Sequence, residues 1–580
     1  MGWRRRLIVP GSLLLALAVY AGLALYLTHG AWQAPRTEVI GANGDAPHDA
    51  WYLAWVAFAV SHGTDPLVVT YLSPPGHPIG LMWQDAAPLL GLLLTPVTLA
   101  AGATFAYNLG VTAGLALSAT SAYLTIGTVS VHRGPAWVGG LIFGFSPWIL
   151  GEAADGHLFL VNLWLVPPLL YFLVRVLRAD HHRMTDGLVL GAIAAAQLLI
   201  SQEILADCLL VGGLVAIGFA VANWRRLRQW FRQAGRETGL AAGTFAVFAG
   251  VPLAAALFGP GHGLHGSLES PFGFFDDLLT LVVPKGGLLG PAPLLESLGN
   301  RLAPAFGPAL YLGLPLVLII TWAGWRYRAD PWVRGSVLVA ASAVVLSLGP
   351  ELTVAGLRTG VPLPWAILVH LPIFSVMAPD RMGSIACLAV GLCLALVLDR
   401  HWPERMDALV AGPAALALVA VLPLVPSGPL ARWIVPTPAF FTAAHYLQSI
   451  PQGSEVAVAG PGVRYNVDAM VWQADSGFRF RLPWGYAITA GPHGRRISAV
   501  PDGALGALWQ QAEAGALPPV TVSVKVAVRA DLCGWGARAV IVGPTPNRSL
   551  VVAATSLVLG RGPNWRGGAA FWQLPAHWCG

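Results

Sequence analysis

Residues 4–27 read RRRLIVPGSLLLALAVYAGLALYL. Three arginines precede an apolar stretch, Leu7 to Leu27, of about 20 residues, the length that crosses a ~30 Å hydrocarbon core. A secretory signal peptide has the same charged head, but its apolar part is shorter and ends at an A-x-A-like cleavage site. The stretch is too long and no such site follows. It reads as a retained first span with Arg4, Arg5 and Arg6 in the cytoplasm.

Working outward, apolar runs of similar character recur near 104–128, 135–151, 158–177, 186–201, 203–222 and 238–258, then near 306–324, 334–349, 382–399 and 407–425. That makes about eleven transmembrane helices. The hydrophilic loops sort by charge. Arg4 to Arg6, His132-Arg133, Arg178 to Arg183, Arg225 to Arg236, Arg326 to Arg334 and Arg400 to Arg405 fall on one side, and a bias of Arg and Lys marks the cytoplasmic side. Outer loops 29–103, 259–305 and 350–381 and everything after about 426 fall on the other. Ala86–Gly102 (AAPLLGLLLTPVTLAAG) is apolar, but counting it as a span would reverse every later basic loop. It is expected to be an interfacial or re-entrant helix, and so is Pro364–Pro372 (PWAILVHLP).

Composition agrees. The chain is 56% hydrophobic and 11% charged, where soluble proteins carry roughly a quarter of their residues as charges. So few charges cannot cover a soluble chain of 580 residues, which excludes disorder, coiled coil, collagen and a soluble multidomain enzyme. The net charge of +6 sits in the basic loops without any nucleic-acid-binding motif. Lys285 and Lys525 are the only lysines, and the wealth of Arg, Ala and Gly points to a GC-rich bacterial genome.

Residues 426–580 differ. They are punctuated by Gly and Pro, with β-prone runs at Glu455–Ala459, Val520–Val528 and Ala539–Val542, and helical stretches ending at Gln448 and covering Leu505–Gln511. The predicted architecture is a polytopic α-helical membrane domain, 1–425, followed by a small extracytoplasmic α/β domain, 426–580. Five cysteines are too few for a disulfide scaffold. Cys208, Cys387 and Cys393 lie in apolar runs. Cys533 and Cys579 lie in the outer domain, and a terminal strand from Ala570 beside Ala539–Val542 would bring them together as a disulfide.

Acidic groups are scarce, so their positions inform. The first outer loop reads GANGDAPHDAWY over residues 41–52. Asp45 there could act as a general base on a hydroxyl, with His48 and Asp49 beside it to tune the pair or bind phosphate. Equally, Asp45 and Asp49 could simply cap a helix starting near Ala50. Glu152, Asp155 and His157 lie in the second outer loop; His157 could bond a phosphate or a sugar, or be an ordinary loop histidine. Glu203 and Asp207 are expensive so near the hydrocarbon, and serve either function or a helix–helix hydrogen-bond network. Lys285 and Arg381 could hold a lipid-linked phosphate or merely snorkel to the headgroups. Pro271–Leu279 reads as an amphipathic helix on the membrane. Within this loop His262 and His265 have a weak metal-ligand spacing, and Asp276-Asp277 could bind a hard cation or form a solvated face. No P-loop, GxSxG elbow or HExxH occurs.

The layout as a whole is similar to the GT-C superfamily of membrane glycosyltransferases. The resemblance is carried by the retained first span, the long outer loop with Gly44-Asp45, and a Pro-Leu-Leu-Gly-Leu-Leu-Leu segment. Further on come Phe143-Gly-Phe-Ser-Pro-Trp148, Gly156-His157-Leu158, Tyr311-Leu-Gly-Leu-Pro315, Ser347-Leu-Gly-Pro350 and Pro362-Leu-Pro-Trp365. In the outer domain Trp472-Gln-Ala, Phe478-Arg-Phe480 and Gly485-Tyr486 look like segments of uncharacterised bacterial members. Ala46 follows Asp45, a departure from the better-known Asp-Glu pair. The resemblance implies a plasma-membrane enzyme that takes a sugar from a polyprenyl-phosphate carrier to a glycan, lipid or protein acceptor. Asp45 would be its base, and a divalent cation could take part. Two other readings stand beside it: a lipid or polysaccharide transporter or flippase, which would carry charges at mid-span, and a non-catalytic scaffold for which Asp45 is dispensable.

Overall fold

The structure, a computed structural model, describes residues 10–580 except 75, 179–183, 223, 265–272, 291–292, 305–306, 372–373, 404–410, 492–493, 495, 498, 500–502, 576–577 and 580. Among the described residues each of the eleven apolar runs contains helix, though the run near 306–324 is helical only from Leu314. Helix α1 (Pro10–Thr28) is followed by a strand, β1 (Glu38–Ile40), and then α2 (Asp45–Ser61). Strands β2 (Val68–Val69) and β3 (Ile79–Gly80) pair antiparallel ahead of α3 (Pro88–Ala101) and α4 (Ala103–Ile126).

Two runs that read as continuous spans are broken. The first is α5 (Arg133–Gly144) and α6 (Pro147–Asp155); Ser146 caps the second piece, its hydroxyl accepting from the Ile149 amide, with Pro147 in the first helical turn. The second is α7 (Leu158–Val161) and α8 (Val166–Arg178). The backbone opened between them finds partners on α4. Ser118 Oγ donates to Val161 O and accepts from Leu163 N, and Ser121 Oγ donates to Trp164 O at 2.6 Å. Irregular backbone at membrane depth is tolerated where protein satisfies it in this way.

Next come α9 (Met184–Leu198), α10 (Gln202–Ala222), α11 (Leu227–Phe258), α12 (Pro293–Leu302), α13 (Leu314–Arg326) and α14 (Pro331–Ser347). A hairpin of β4 (Glu351–Val354) and β5 (Leu357–Pro362) and the single turn α15 (Trp365–Leu368) precede α16 (Gly383–His401) and α17 (Ala411–Val421). Five helical segments among the described residues are long and apolar enough to cross a membrane: Gly11–Thr28, Ala103–Ile126, Gln202–Val221, Ala234–Phe258 and Pro379–His401. The amphipathic helix expected over Pro271–Leu279 is not found over its described part, 273–279. Residues 273–277 are irregular, and a 3₁₀ turn covers Leu278–Leu281.

The C-terminal part runs β6 (Arg432–Ile434), α18 (Ala439–Thr442), α19 (Ala444–Leu447), β7 (Ser454–Ala459), α20 (Val467–Asp475), β8 (Phe480–Arg481), β9 (Thr489–Ala490), β10 (Arg496–Ile497), α21 (Gly503–Glu513), α22 (Val522–Gly534), β11 (Ala539–Val542), α23 (Arg548–Leu559), β12 (Asn564–Arg566) and β13 (Ala569–Gln573). The strand expected over Val520–Val528 is the first half of a helix, α22. Thr521 caps it, its hydroxyl accepting from Val524 N, and Val528 and Leu532 form the buried stripe while Val522 and Val526 face outward. The alternating valines imitated a strand; the i, i+4 burial belongs to a helix.

The chain divides into two compact units. The first comprises 1–30, 109–250 and 269–431, the second 31–108, 251–268 and 432–580. The second unit takes in much of the first outer segment together with the C-terminal part. In the first unit, α16 is buried along nearly its whole length and crosses α5 at backbone contact. A Cβ at Gly391 would stand 2.7 Å from Gly139 O, the close approach that small residues permit in membrane helices. In the second, a five-stranded sheet has the order β12-β13-β11-β7-β8. Strands β11, β7 and β8 are parallel, and β13 lies antiparallel beside β11. The fully buried sequence Ala-Val-Ile-Val of β11 fits a strand covered on both faces.

Cys533, near the end of α22, is bonded to Cys579, with Cα atoms 5.5 Å apart and a separation of 46 residues. Closing such a loop stabilises by about 4 kcal/mol in the chain-entropy model. Unreduced protein is expected to take up no alkylating reagent at these two positions, and Cys533→Ser is expected to lower the unfolding temperature of the outer domain. Two added alkyl groups found there by intact-mass analysis would mean that the bridge is not formed in solution.

Candidate functional site

Two clusters of ionisable groups stand out, one in each unit. The second unit holds Asp45. Strand β1 pairs with β6, Val39 opposite Trp433, and the start of α4 fixes its far end. Asn108 accepts from Ile40 N at 3.0 Å and donates to Glu38 O at 2.7 Å, while Tyr107 Oη donates to Ile40 O at 2.9 Å. Gly41, at φ 133°, then turns the chain into the loop, and Asn43 Oδ1 accepts from Asp45 N at 3.0 Å.

Asp45 is the first residue of α2. The helix begins there and not near Ala50, so Asp49 lies inside it and is no cap. Spacings of three and four place Asp45, His48, Asp49 and Tyr52 along one face. Asp45 is half-buried, His48 and Asp49 are only 5% and 4% exposed, and His48 Nδ1 lies 3.5 Å from Asp49 Oδ1. A carboxylate in the first turn is favoured by the helix dipole. The neighbouring helix α20 runs alongside. Trp51 Nε1 donates to Gln473 Oε1 at 2.9 Å, and a Cβ at Gly44 would stand 3.5 Å from Val467. Asp468, in the first turn of α20, escaped the sequence reading. Burial pushes its carboxyl up to about 7 against the pull of the Trp433 indole.

The first unit gathers the other candidates. Helix α6 ends on Gly156 in the left-handed conformation, with His157 N bonded to Glu152 O, and this turn folds His157 back over the helix. His157 Nδ1 donates to Glu152 Oε2 at 2.6 Å, and Arg381 Nη1 donates to Glu152 Oε1 at 2.5 Å. Burial alone would raise the Glu152 carboxyl, but Arg381 and His157 outweigh it and hold the group below its ordinary value. Arg381 also lies 3.6 Å from Glu203 and 4.0 Å from Asp380. Its guanidinium, 5% exposed, is thus committed to carboxylates and is not open as a phosphate clamp. Asp155 is raised by burial, with His157 and Lys285 opposing and Glu152 reinforcing. Lys285 is exposed.

Asp207 and Asp380 are fully buried, and their carboxylate oxygens accept no hydrogen bond among the described residues. A Cβ at Gly307 would stand 2.7 Å from Asp380 Oδ2. Asp380 was missed although it adjoins Arg381.

Asp276 and Asp277 are buried, not a solvated face. Asp276 Oδ1 accepts from Leu310 N, and Asp277 accepts from the Leu279, Ala355 and Gly356 amides. Burial pushes Asp276 up to about 7, with the Leu310 amide and Ser347 pulling down. Both carboxylates serve the backbone. His262 is exposed, its ring bonded to Gly259 O, and His265 lies outside the described residues. No group of three or more His, Cys, Asp or Glu among the described residues is arranged to hold a metal ion.

Taken whole, the helical chain has the fold of the GT-C membrane glycosyltransferases. It is similar to the arabinofuranosyltransferase AftD from Mycobacteria, with a TM-score of 0.58 at 14% identity over 98% of this chain. That match covers 40% of AftD, so the chain spans well under half of that protein's length. The chain belongs to the family described as "Domain of unknown function (DUF6311)", whose profile matches residues 12–422. Lower similarities extend to the oligosaccharyltransferase AglB from Archaeoglobus fulgidus (TM-score 0.46, 11% identity, 95% of this chain and 71% of that one). ArnT from Cupriavidus metallidurans follows (TM-score 0.39, 13% identity, 99% and 100%). No curated protein sequence matches the chain.

Proposed function

We propose that this protein is an inverting glycosyltransferase that moves a sugar from a polyprenyl-phosphate carrier to a cell-envelope acceptor at the outer face of the plasma membrane. The acceptor is a glycan, a lipid or a protein. The observation that carries the proposal is Asp45 at the head of α2, held by β1 and Asn108, in a chain with the GT-C fold. Asp45 takes the proton of the acceptor hydroxyl as its oxygen attacks the anomeric carbon. The bond from that carbon to the phosphate oxygen breaks, and the carrier phosphate leaves with the electron pair. In the first unit Glu152 orients His157 and Lys285 is exposed, and both side chains are of a kind that binds phosphate. Glu152 and Glu203 face Arg381 and are thereby committed to it rather than to a divalent cation.

The test is sugar transfer by purified protein in nanodiscs from a panel of polyprenyl-phosphate sugars, with NMR assignment of the product anomer. Transfer with inversion is expected. Buried Asp207 and Asp380 favour the second reading, a lipid transporter, since such groups mark pathways through membranes. Translocation of labelled carrier lipid without transfer would establish that reading instead.

Sidedness has its own check. Single cysteines engineered at Gly290 and Ser454 are expected to react with an impermeant maleimide from outside the cell, and one at Arg328 is not. Labelling of Arg328 but not Ser454 would reverse the orientation.

A further inference from the structure

From the Asp45 face of α2 a file of rings leads to the surface of the second unit. The His48 ring lies 4.3 Å from that of Tyr486, tilted by 34°, and 4.7 Å from Tyr52. Tyr486 in turn meets Tyr465, edge to face, at 5.1 Å. The guanidinium of Arg464 stands 5.5 Å over the Tyr465 ring. Tyr465 is 38% exposed, yet the turn that carries it is pinned on every side. Tyr465 N and Asn466 N both bond to Gly462 O. Asn466, buried and at φ 54°, accepts from Gly460 N and donates to Val458 O. The Glu513 carboxylate accepts from the Gly462 and Val463 amides. A large aromatic side chain is thus held out to solvent on a rigid loop, when burying it would have been the stabilising choice.

We infer that Tyr465 and Tyr486 form the platform that receives the acceptor, and that the acceptor is a saccharide. This rests on the reading of Asp45 as the base. A tyrosine face is flat and apolar with a negative quadrupole, which matches the C–H face of a sugar ring. The Arg464 guanidinium stands over one face of the Tyr465 ring, so the other face is the one that meets the sugar, and the Arg464 N–H groups serve hydroxyls or a carboxylate that reach past the ring. Preorganisation lets such a surface bind without first ordering a loop. The file ends at His48, one helical turn from Asp45, so a saccharide seated at its exposed end is directed along it towards the base. A lipid alcohol would use an apolar groove instead, and a peptide would use a strand edge.

Two measurements decide it. In saturation-transfer NMR, methyl α-D-mannopyranoside, methyl α-D-arabinofuranoside and methyl β-D-glucuronoside serve as probes. At least one is expected to be saturated through its ring C–H protons by the wild type, by Tyr465→Phe and by Asp45→Asn, and to lose most of that signal with Tyr465→Ala. In transfer assays Tyr465→Ala is expected to raise the acceptor KM by about tenfold or more, with kcat and the donor KM within about twofold; Tyr465→Trp restores the acceptor KM. Saturation unchanged in Tyr465→Ala, or a fall in kcat at constant acceptor KM, overturns the platform. The two readings fail separately. Saccharide binding without turnover of any donor sinks the transferase and spares the platform, whereas transfer unaffected by Tyr465→Ala does the reverse.

Discussion

Asp45→Asn is expected to lower sugar transfer by about 10²–10⁴-fold, the usual cost of removing a general base, while folding is unchanged. The amide keeps the shape and polarity of the side chain at the first position of α2, and the loop before it is fixed by groups that do not involve the carboxylate: Asn43, Asn108 and Tyr107. Donor affinity is expected to hold, because the loss falls on the proton-transfer step. Kinetics with saturating donor and an unfolding scan of the same preparation check both halves. Near-normal turnover would remove Asp45 from the mechanism and pass the role to Asp49 or Glu203.

The second large effect concerns Arg381. Replacing it with Met leaves Glu152 facing a buried environment without its cation, and also strips Glu203 and Asp380 of theirs. Breaking one side of a buried ion pair costs about 3–5 kcal/mol, so Arg381→Met is expected to fold poorly or to melt far below the wild type. Glu152→Gln in the same chain is expected to recover part of that loss, since the uncompensated charge is then gone. A double-mutant cycle by thermal unfolding in detergent measures the coupling; simple additivity would show that the pair is not coupled. The pH dependence has a definite sign. Glu152 is held below its ordinary value in the folded state. Its contribution is therefore complete above the unfolded pKa of about 4.3 and is lost as the pH falls through the folded value. Wild-type stability should decline on acidification, and Glu152→Gln should flatten that decline.

Hydropathy made the helices legible because an apolar run of about 20 residues has few other uses. Their interruptions were not legible. The break at Asn162–Leu165 is satisfied by Ser118 and Ser121, some forty residues away, and no local signal announces such a partner. The break at Phe145 had a local sign, the Ser146 cap with Pro147, inside an otherwise apolar run. The valines of 520–528 misled for the opposite reason: their alternation is local and strong, while the cap at Thr521 and the burial of Val528 and Leu532 decide the outcome. At the candidate sites, isolated charges in outer loops drew attention to Asp45, Asp155, His157, Glu203 and Arg381. What they touch depends on the fold. Glu152 and His157 meet only because Gly156 reverses the chain. Asp276 and Asp277 looked like a surface pair, and the backbone amides that bury them come from positions 279 to 356. Val467 and Tyr486 reach the start of the Asp45 helix from more than four hundred residues downstream.

The pairing of β1 with β6 also sets an order of events. Ile40 is opposite Arg432, and about 390 residues must be synthesised between them. At ~5–20 residues per second the first partner waits roughly 20–80 s for the second. Until then the segment leading to Asp45 has an unpaired edge and no α20 beside it. The Asp45 loop is therefore assembled only after helices α1 to α17 have been made. A chain stalled or cut before residue 432 would carry helices α1 to α17 and still have an unformed Asp45 loop, because half of the ladder that holds it would be missing.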